Sequence, residues 1–440
     1  MNLYPHQIKA LYQTKNKNHV AYYLDMGLGK TFVGSEKSVS FDEPVILVIC
    51  QKSKVQDWID HFRIHYLWID DVLDLTNKKM MELFIGMVKA TNGCTLCPPK
   101  YKCVAVINYD LAFRRPDLLN LDNFTLMLDE SSMIQNEKAK RTKFILKMKP
   151  KNVILLSGTP TSGKYEKLWS QMHLLGWNIS LNLYHKQYIN WNTIKVGGVP
   201  LKVVDKENPY KNVDRLKSKM REHGAIFMKT DECFELPEQT FTDIKVNSSQ
   251  EYRKFKKDRV VILPDTDAFE DDIELVGDTT LTQMLGEREL CGIYSSEKQK
   301  AFADLLQSTN DRLIVFYNFN GELDRLRSII VDDFKRPCSE VNGYERDLDA
   351  YEKYDNSVTL IQYQAGSMGL NLQKANKVIY YTLPLMSELF EQSKKRIHRI
   401  GQNRPCFYYT LTVKNSIEGQ IKKTLEMRKD FTDKLFEEER

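Results

Sequence analysis

The segment Asp25-Met26-Gly27-Leu28-Gly29-Lys30-Thr31 sets two glycines, a lysine and a hydroxyl in one short turn. Glycines let a backbone turn tightly and aim its N–H groups at phosphate oxygens, and a helix starting there adds a favourable dipole. In that chemistry Gly27, Leu28 and Gly29 line the phosphates of a nucleotide, and Lys30 would reach the β- and γ-phosphates. The Thr31 hydroxyl holds Mg2+. The longer form of this phosphate loop has a glycine where Leu24 stands. Downstream, the apolar run Phe124–Leu128 delivers the paired carboxylates Asp129-Glu130. Asp129 would hold Mg2+ and Glu130 would polarise an attacking water. Alone, Asp-Glu after an apolar run is commonplace and reads as a solvated turn; the phosphate loop upstream is what favours chemistry.

Such residues need a rigid sheet to place them. Two stretches alternate short apolar runs with amphipathic helical patterns, the signature of parallel α/β lobes. In the first, strands are expected at His19–Leu24, Pro44–Cys50, Val104–Asn108, Phe124–Leu128 and Asn152–Ser157, with helices at Lys54–His65 and Tyr165–Leu175. In the second, strands are expected at Arg312–Tyr317, Ser357–Tyr363, Lys377–Thr382 and Phe407–Val413, with helices at Gly321–Ile330, Met386–Ile400 and Ile417–Phe436. The less regular span Trp177–Tyr294 contains a turn-like cluster, Val196-Gly197-Gly198-Val199-Pro200, and the acidic run Asp265–Asp278, read as a solvated loop. Glu235-Leu236-Pro237 reads as the crossing point between lobes. The predicted organisation is a first lobe at 1–229, a crossover linker at 230–245 and a second lobe at 246–440 that ends in a helix.

The composition is that of a soluble globular chain: 440 residues, 42% hydrophobic and 28% charged, long enough for more than one core. Its apolar runs are strand-length and its first residues lack a basic-then-apolar signal, so a cytoplasmic protein with no membrane partner is expected. A net charge of +5 does not by itself indicate nucleic acid. Eight cysteines do not make a disulfide scaffold at this length. Cys94, Cys97 and Cys103 offer part of a zinc site, with a reduced loop as the simpler reading.

With these motifs in this order, the chain resembles the superfamily 2 helicases and, within them, the Swi/Snf-type double-stranded DNA translocases. Leu3-Tyr4-Pro5-His6-Gln7 looks like the family's N-terminal motif, which implies that Gln7 recognises adenine. Val45–Cys50 with Val55–Phe62, including Trp58, resembles a strand, loop and helix that touch the DNA backbone, so Lys52 and Lys54 become candidate contacts. Asp129-Glu130-Ser131-Ser132 occupies the place of the DEAH-type box, with Ser132 where many relatives carry histidine. Ser157-Gly158-Thr159-Pro160 resembles the motif that couples ATP state to DNA grip, which brings in Ser157 and Thr159. In the second lobe, Ala365–Leu372 is similar to a glycine-rich loop of the family. It places Gly369 and Asn371 at the nucleotide and Gln364 and Ser367 at DNA, with Gln364 where relatives have a basic residue. The most specific string is Gln392–Gln402, with Arg396, His398, Arg399, Gly401 and Gln402.

The resemblance implies an α/β fold of two tandem RecA-like parallel-sheet lobes with an ATP cleft between them. It also implies a DNA-dependent ATPase in which Arg396 and Arg399 of the second lobe meet the γ-phosphate. Its expected partner is double-stranded DNA gripped through phosphates regardless of sequence, by a monomer. The compact length suggests a bacterial or viral setting. Competing readings are a strand-separating or annealing helicase, a binding module with a vestigial ATPase, and the motor of a larger DNA-processing or defence complex.

Overall fold

The computed structural model describes residues 2–93, 101–263, 273–365 and 370–436. The chain divides into two compact units, Met1–Cys233 with Asp430–Arg440, and Phe234–Lys429. The first is built on strands β1 (His19–Leu24), β2 (Val45–Cys50), β3 (Asp71–Asp74), β4 (Cys103–Asn108), β5 (Phe124–Asp129), β6 (Asn152–Ser157) and β9 (Ala225–Met228). A hairpin of β7 (Trp191–Val196) and β8 (Val199–Val204) stands apart from them. The seven sheet strands lie in the order β3-β4-β2-β5-β6-β1-β9, with every pairing parallel. β2 and β4 are buried at all six positions. A strand covered on both faces has no polar side to show, and so reads as an unbroken apolar run.

Helices α1 (Pro5–Gln13), α2 (Lys30–Val39) and α3 (Val55–His65) flank this sheet. Pro5 sits at the first helical position of α1, where its missing N–H is no loss. In α3, Val55, Trp58, Ile59 and Phe62 recur at helical spacing and are the buried face. The helix expected at Tyr165–Leu175 is a single tight turn, Tyr165–Lys167, followed by a helix at Trp169–Leu174.

The second unit contains β10 (Gln239–Val246), β11 (Val260–Leu263), β12 (Ile273–Val276), β13 (Leu313–Tyr317), β14 (Cys338–Val341), β15 (Val358–Gln362), β16 (Lys377–Tyr380) and β17 (Cys406–Val413). Its main sheet runs β10-β17-β16-β13-β15-β14, again all parallel, and β11 and β12 form a separate antiparallel pair. Both units are thus parallel-sheet α/β lobes of RecA-like type. Within the span 230–245, residues 239–245 belong to β10 and pair with β17. Two apolar clusters cover the two faces of the second sheet, one around Phe316 and Tyr380, the other around Val315 and Tyr381. Among the described residues no helix is long and apolar enough to cross a membrane.

Candidate nucleotide site

Because β6 lies between β5 and β1, three adjacent strand ends deliver Asp129-Glu130, Ser157-Gly158-Thr159 and Asp25–Gly29 side by side. The carboxyl edge of a parallel sheet is where α/β folds place ligands. Gly27 and Gly29 take φ values of 89° and 73°, and α2 begins at the next residue, so the phosphate turn is formed as the sequence implies. A Cβ on Gly29 would sit 2.2 Å from the Gln7 Nε2 and at a φ that L side chains rarely adopt, so a substitution there would displace Gln7 and strain the turn. Lys30 Nζ donates to the Leu24 carbonyl at 3.0 Å and lies 3.3 Å from where a Cβ on Gly158 would be, which seats the ammonium beside the end of β6. Leu24 is itself core, fully buried at the end of β1. Thr31 is half-buried in the first turn of α2.

The turn is braced by residues outside it. His6 Nε2 meets the Leu28 carbonyl at 2.9 Å, and Gln7 Nε2 donates to the same oxygen at 3.2 Å. Gln7 Oε1 accepts from the Tyr4 amide at 2.9 Å, and Gln7 is only 3% exposed. Both ends of its amide are thus engaged within the chain, and adenine would have to compete for them. Asp25 Oδ2 accepts from Thr230 Oγ1 at 2.8 Å. Thr230 carries no local signal of this role; the bond forms because β9 pairs beside β1.

Asp129 is half-buried at the end of β5, and its partial desolvation pushes its carboxyl above the ordinary range. The Trp58 N–H and the charges of Lys30 and Lys54 pull it back. Trp58 Nε1 donates to Oδ2 at 2.8 Å. Trp58 is 2% exposed, so it faces the carboxylate rather than an outer surface. Glu130 sits in the left-handed region at φ 51°, a strain of about 1 kcal/mol for a residue with a Cβ. Its Oε2 accepts from Ser157 Oγ at 3.4 Å, and the same hydroxyl accepts from the Thr159 amide at 3.2 Å. A Thr31 hydroxyl and an Asp129 carboxylate are the hard oxygen donors that suit Mg2+, and a cation would offset the burial penalty on Asp129.

Gln171, fully buried on the helix Trp169–Leu174, joins these strand ends. Its Oε1 accepts from Ser131 Oγ at 2.7 Å and from Tyr23 Oη at 3.0 Å, while its Nε2 donates to the Pro160 carbonyl at 2.7 Å. Gln135 Nε2 reaches the same carbonyl at 3.3 Å. Sequence reasoning missed Gln171, because its partners lie far away in the chain. Ser157 is fully buried with its hydroxyl on Glu130, and Thr159 is 6% exposed.

In the second unit the helix expected at Met386–Ile400 ends at Lys394, and Arg396–Gln402 follows as a turn. Gln402 sets that turn: its Nε2 donates to the carbonyls of Gln373, Ala375 and Ile397 at 3.1, 2.8 and 3.2 Å. His398 Nε2 meets the Pro237 carbonyl at 2.8 Å, and its Nδ1 meets Gln239 at 2.7 Å. Arg396 is buried. Arg399 is half-buried, and burial alone draws its pKa down; no carboxylate faces it among the described residues. A guanidinium stays charged under such a shift, so Arg399 is a cation kept without a counter-charge among those residues.

Of the remaining candidates, Lys52 is exposed, and Lys54 pairs with Asp57 at 2.7 Å on the turn before α3. Gln364 and Asn371 are exposed. Ser367 and Gly369 lie outside the described residues, as do Cys94 and Cys97. Cys103 opens β4 within the core, and burial pushes its thiol up to about 12. Among the described residues there is no cluster of three metal-ligating side chains.

Residues 7–294 match the model of the SNF2-related domain, and residues 297–401 that of the helicase conserved C-terminal domain. The chain is 24% identical over 350 residues to the putative ATP-dependent helicase/translocase YwqA of Bacillus subtilis, across 72% of this chain and 36% of that one. It is 22% identical over 468 residues to the uncharacterized ATP-dependent helicase YqhH of the same organism, across 96% of this chain and 77% of that one. A solved structure described as the Sulfolobus solfataricus SWI2/SNF2 ATPase core in complex with dsDNA is 19% identical, with a TM-score of 0.44, and the match covers 98% of this chain and 92% of that one. The chain thus spans about a third of YwqA and about three quarters of YqhH.

Proposed function

The chain belongs to the SNF2-related domain family, and from that premise we propose that it is an ATP-driven motor that tracks along double-stranded DNA. The observation that carries the proposal is the convergence of Lys30, Asp129 and Glu130 on adjacent strand ends, with the Lys30 charge acting on Asp129. Lys30 takes the β- and γ-phosphates of ATP, with the N–H groups of Gly27–Thr31 around them. Thr31 and Asp129 are the residues that would hold Mg2+, which when bound neutralises phosphate charge. Glu130, held at a strained backbone position and touched by Ser157, orients the attacking water and takes up its proton.

Arg399, a half-buried cation that no carboxylate faces among the described residues, is assigned to the γ-phosphate together with Arg396. An arginine on that developing charge is worth roughly 10³–10⁵-fold in rate. Since the second unit supplies it, hydrolysis depends on the disposition of the two units, which is how nucleotide state becomes movement. The bonds from Glu130 to Ser157 and from Ser131 through Gln171 to Pro160 tie the carboxylates to the Ser157–Pro160 turn, a route by which DNA grip and ATP chemistry can be felt together. Lys52, Lys54 and Gln364 remain the proposed phosphate contacts.

Triplex displacement tests this reading. A motor on intact duplex strips a third strand in an ATP-dependent way, whereas a strand-separating helicase opens a fork and leaves the triplex in place. Fork opening without triplex displacement would overturn duplex tracking.

A further inference from the structure

One element of the first unit takes no part in that site: the β7–β8 hairpin. Its strands pair antiparallel from Trp191 opposite Val204 to Val196 opposite Val199. Gly197 and Gly198 form the two-residue loop at φ 57° and 81°, the pair of positive values a type I′ turn needs. The pair joins no larger sheet, and residues 191–195 and 197–202 are all exposed.

A lone hairpin is marginal in water, so its root must hold it. The Trp191 ring lies 5.2 Å from that of His185, and Ile189 bridges to Tyr210. Tyr210 stacks on Tyr165 at 4.4 Å, and its hydroxyl donates to the Gly163 carbonyl at 3.2 Å and to Glu166 at 3.0 Å. Gly163 follows closely on the Ser157–Pro160 turn, so the ribbon is rooted on the segment that leaves that turn.

Residues opposite one another share a face, and faces alternate along each strand. One face carries Lys195 and Lys202; the other carries Ile194, Val199 and Leu201, all exposed. No carboxylate occurs between Trp191 and Val204, and neither lysine has an ion-pair partner among the described residues.

We propose that this ribbon is an arm that lies in a groove of duplex DNA, with Lys195 and Lys202 on the backbone phosphates and Ile194, Val199 and Leu201 against base and sugar edges. The inference rests on the duplex-tracking reading and names a surface for it. A groove about 12 Å wide admits a two-stranded ribbon. Long lysine stems reach phosphates at its rim while an apolar face is covered. Phosphate contacts of this kind are indifferent to sequence. Because the root bonds to the segment beyond Pro160, DNA seated on the ribbon bears on the turn beside Glu130.

The test is anisotropy binding of the full chain to a labelled duplex over a salt series, with K195A/K202A, K195R/K202R and I194S/L201S. Loss of two phosphate contacts should flatten the log–log salt slope by about 1.8 and weaken binding roughly tenfold or more near 0.1 M salt. The arginine pair should restore both. I194S/L201S should weaken binding with the slope kept. An unchanged affinity and slope in K195A/K202A, with wild type binding duplex normally, overturns the arm alone and leaves the apolar face to a protein partner. A wild type that does not bind duplex at all overturns the arm and the tracking motor together.

Discussion

The Trp58 indole donates to the Asp129 carboxylate at 2.8 Å, from a helix whose preceding turn carries Lys52 and Lys54. A proposed DNA-backbone contact and the proposed metal-holding carboxylate are thus joined by one short helix. Trp58→Phe keeps most of the packing and removes the N–H. We expect a stability loss of about 2–3 kcal/mol from the lost charge-assisted bond and the small void. The Trp58 bond lowers the Asp129 pKa, so its removal raises that pKa further. The acid limb of the ATPase pH profile should therefore move to higher pH. An unmoved limb would show that this bond does not tune Asp129.

Gln171 bonds Tyr23, Ser131 and the Pro160 carbonyl in a fully buried place. Gln171→Leu fills similar space and leaves those groups without their partner. Denaturant unfolding should show a loss of about 2–4 kcal/mol. DNA stimulation of ATP hydrolysis should fall more than basal hydrolysis does. Equal loss of both would mean that Gln171 only supports the fold.

Glu130 carries backbone strain that glycine does not feel. Glu130→Gly should leave stability equal or raise it by up to about 1 kcal/mol, while hydrolysis is lost. A marked destabilisation would place the constraint elsewhere.

Glu322 is a fully buried carboxyl in the second unit. Burial lifts its pKa to about 7, against the opposing pull of the Asn318 and Phe319 amides. A carboxyl whose folded pKa lies above its unfolded value binds its proton more tightly in the native state. Stability therefore falls as pH rises from about 4.5 to about 7 and stays low above that. Glu322→Gln should remove this slope, gaining about 1–3 kcal/mol at pH 8 relative to its effect at pH 5. Parallel stability curves for the two proteins would contradict the buried neutral acid.

Much of the fold was legible because the central strands are covered on both faces. Val45–Cys50 is apolar throughout, and Asn152–Ser157 carries the apolar run Val153–Leu156 between two buried polar ends. The strands not foreseen lie at or near sheet edges. β3 has an aspartate at each end, β9 and β14 have four residues each, and β10 alternates threonine, aspartate and lysine with apolar residues. Such half-solvated strands lack an apolar run and read as loop. The Gly197-Gly198 turn was visible as a breaker, but its exposed flanks hid the ribbon.

The site was legible where chemistry is local in sequence. Lys30 and Thr31 follow their glycines, and Asp129-Glu130 follow their strand. What could not be read was pairing across the sheet: Trp58 to Asp129, Thr230 to Asp25, and Gln171 to three strand ends. A resemblance names a motif without saying which way its side chains face, and the Ser157 hydroxyl is turned to Glu130.

The most direct test is steady-state ATP hydrolysis by the full chain, with and without duplex DNA, for wild type, Lys30→Ala, Glu130→Gln and Arg399→Ala. The account predicts hydrolysis stimulated by duplex in wild type and abolished in Lys30→Ala and Glu130→Gln, each still folded. Arg399→Ala should still bind nucleotide without turning it over. Wild-type-like turnover in Glu130→Gln, or no duplex-stimulated hydrolysis in wild type, would contradict it.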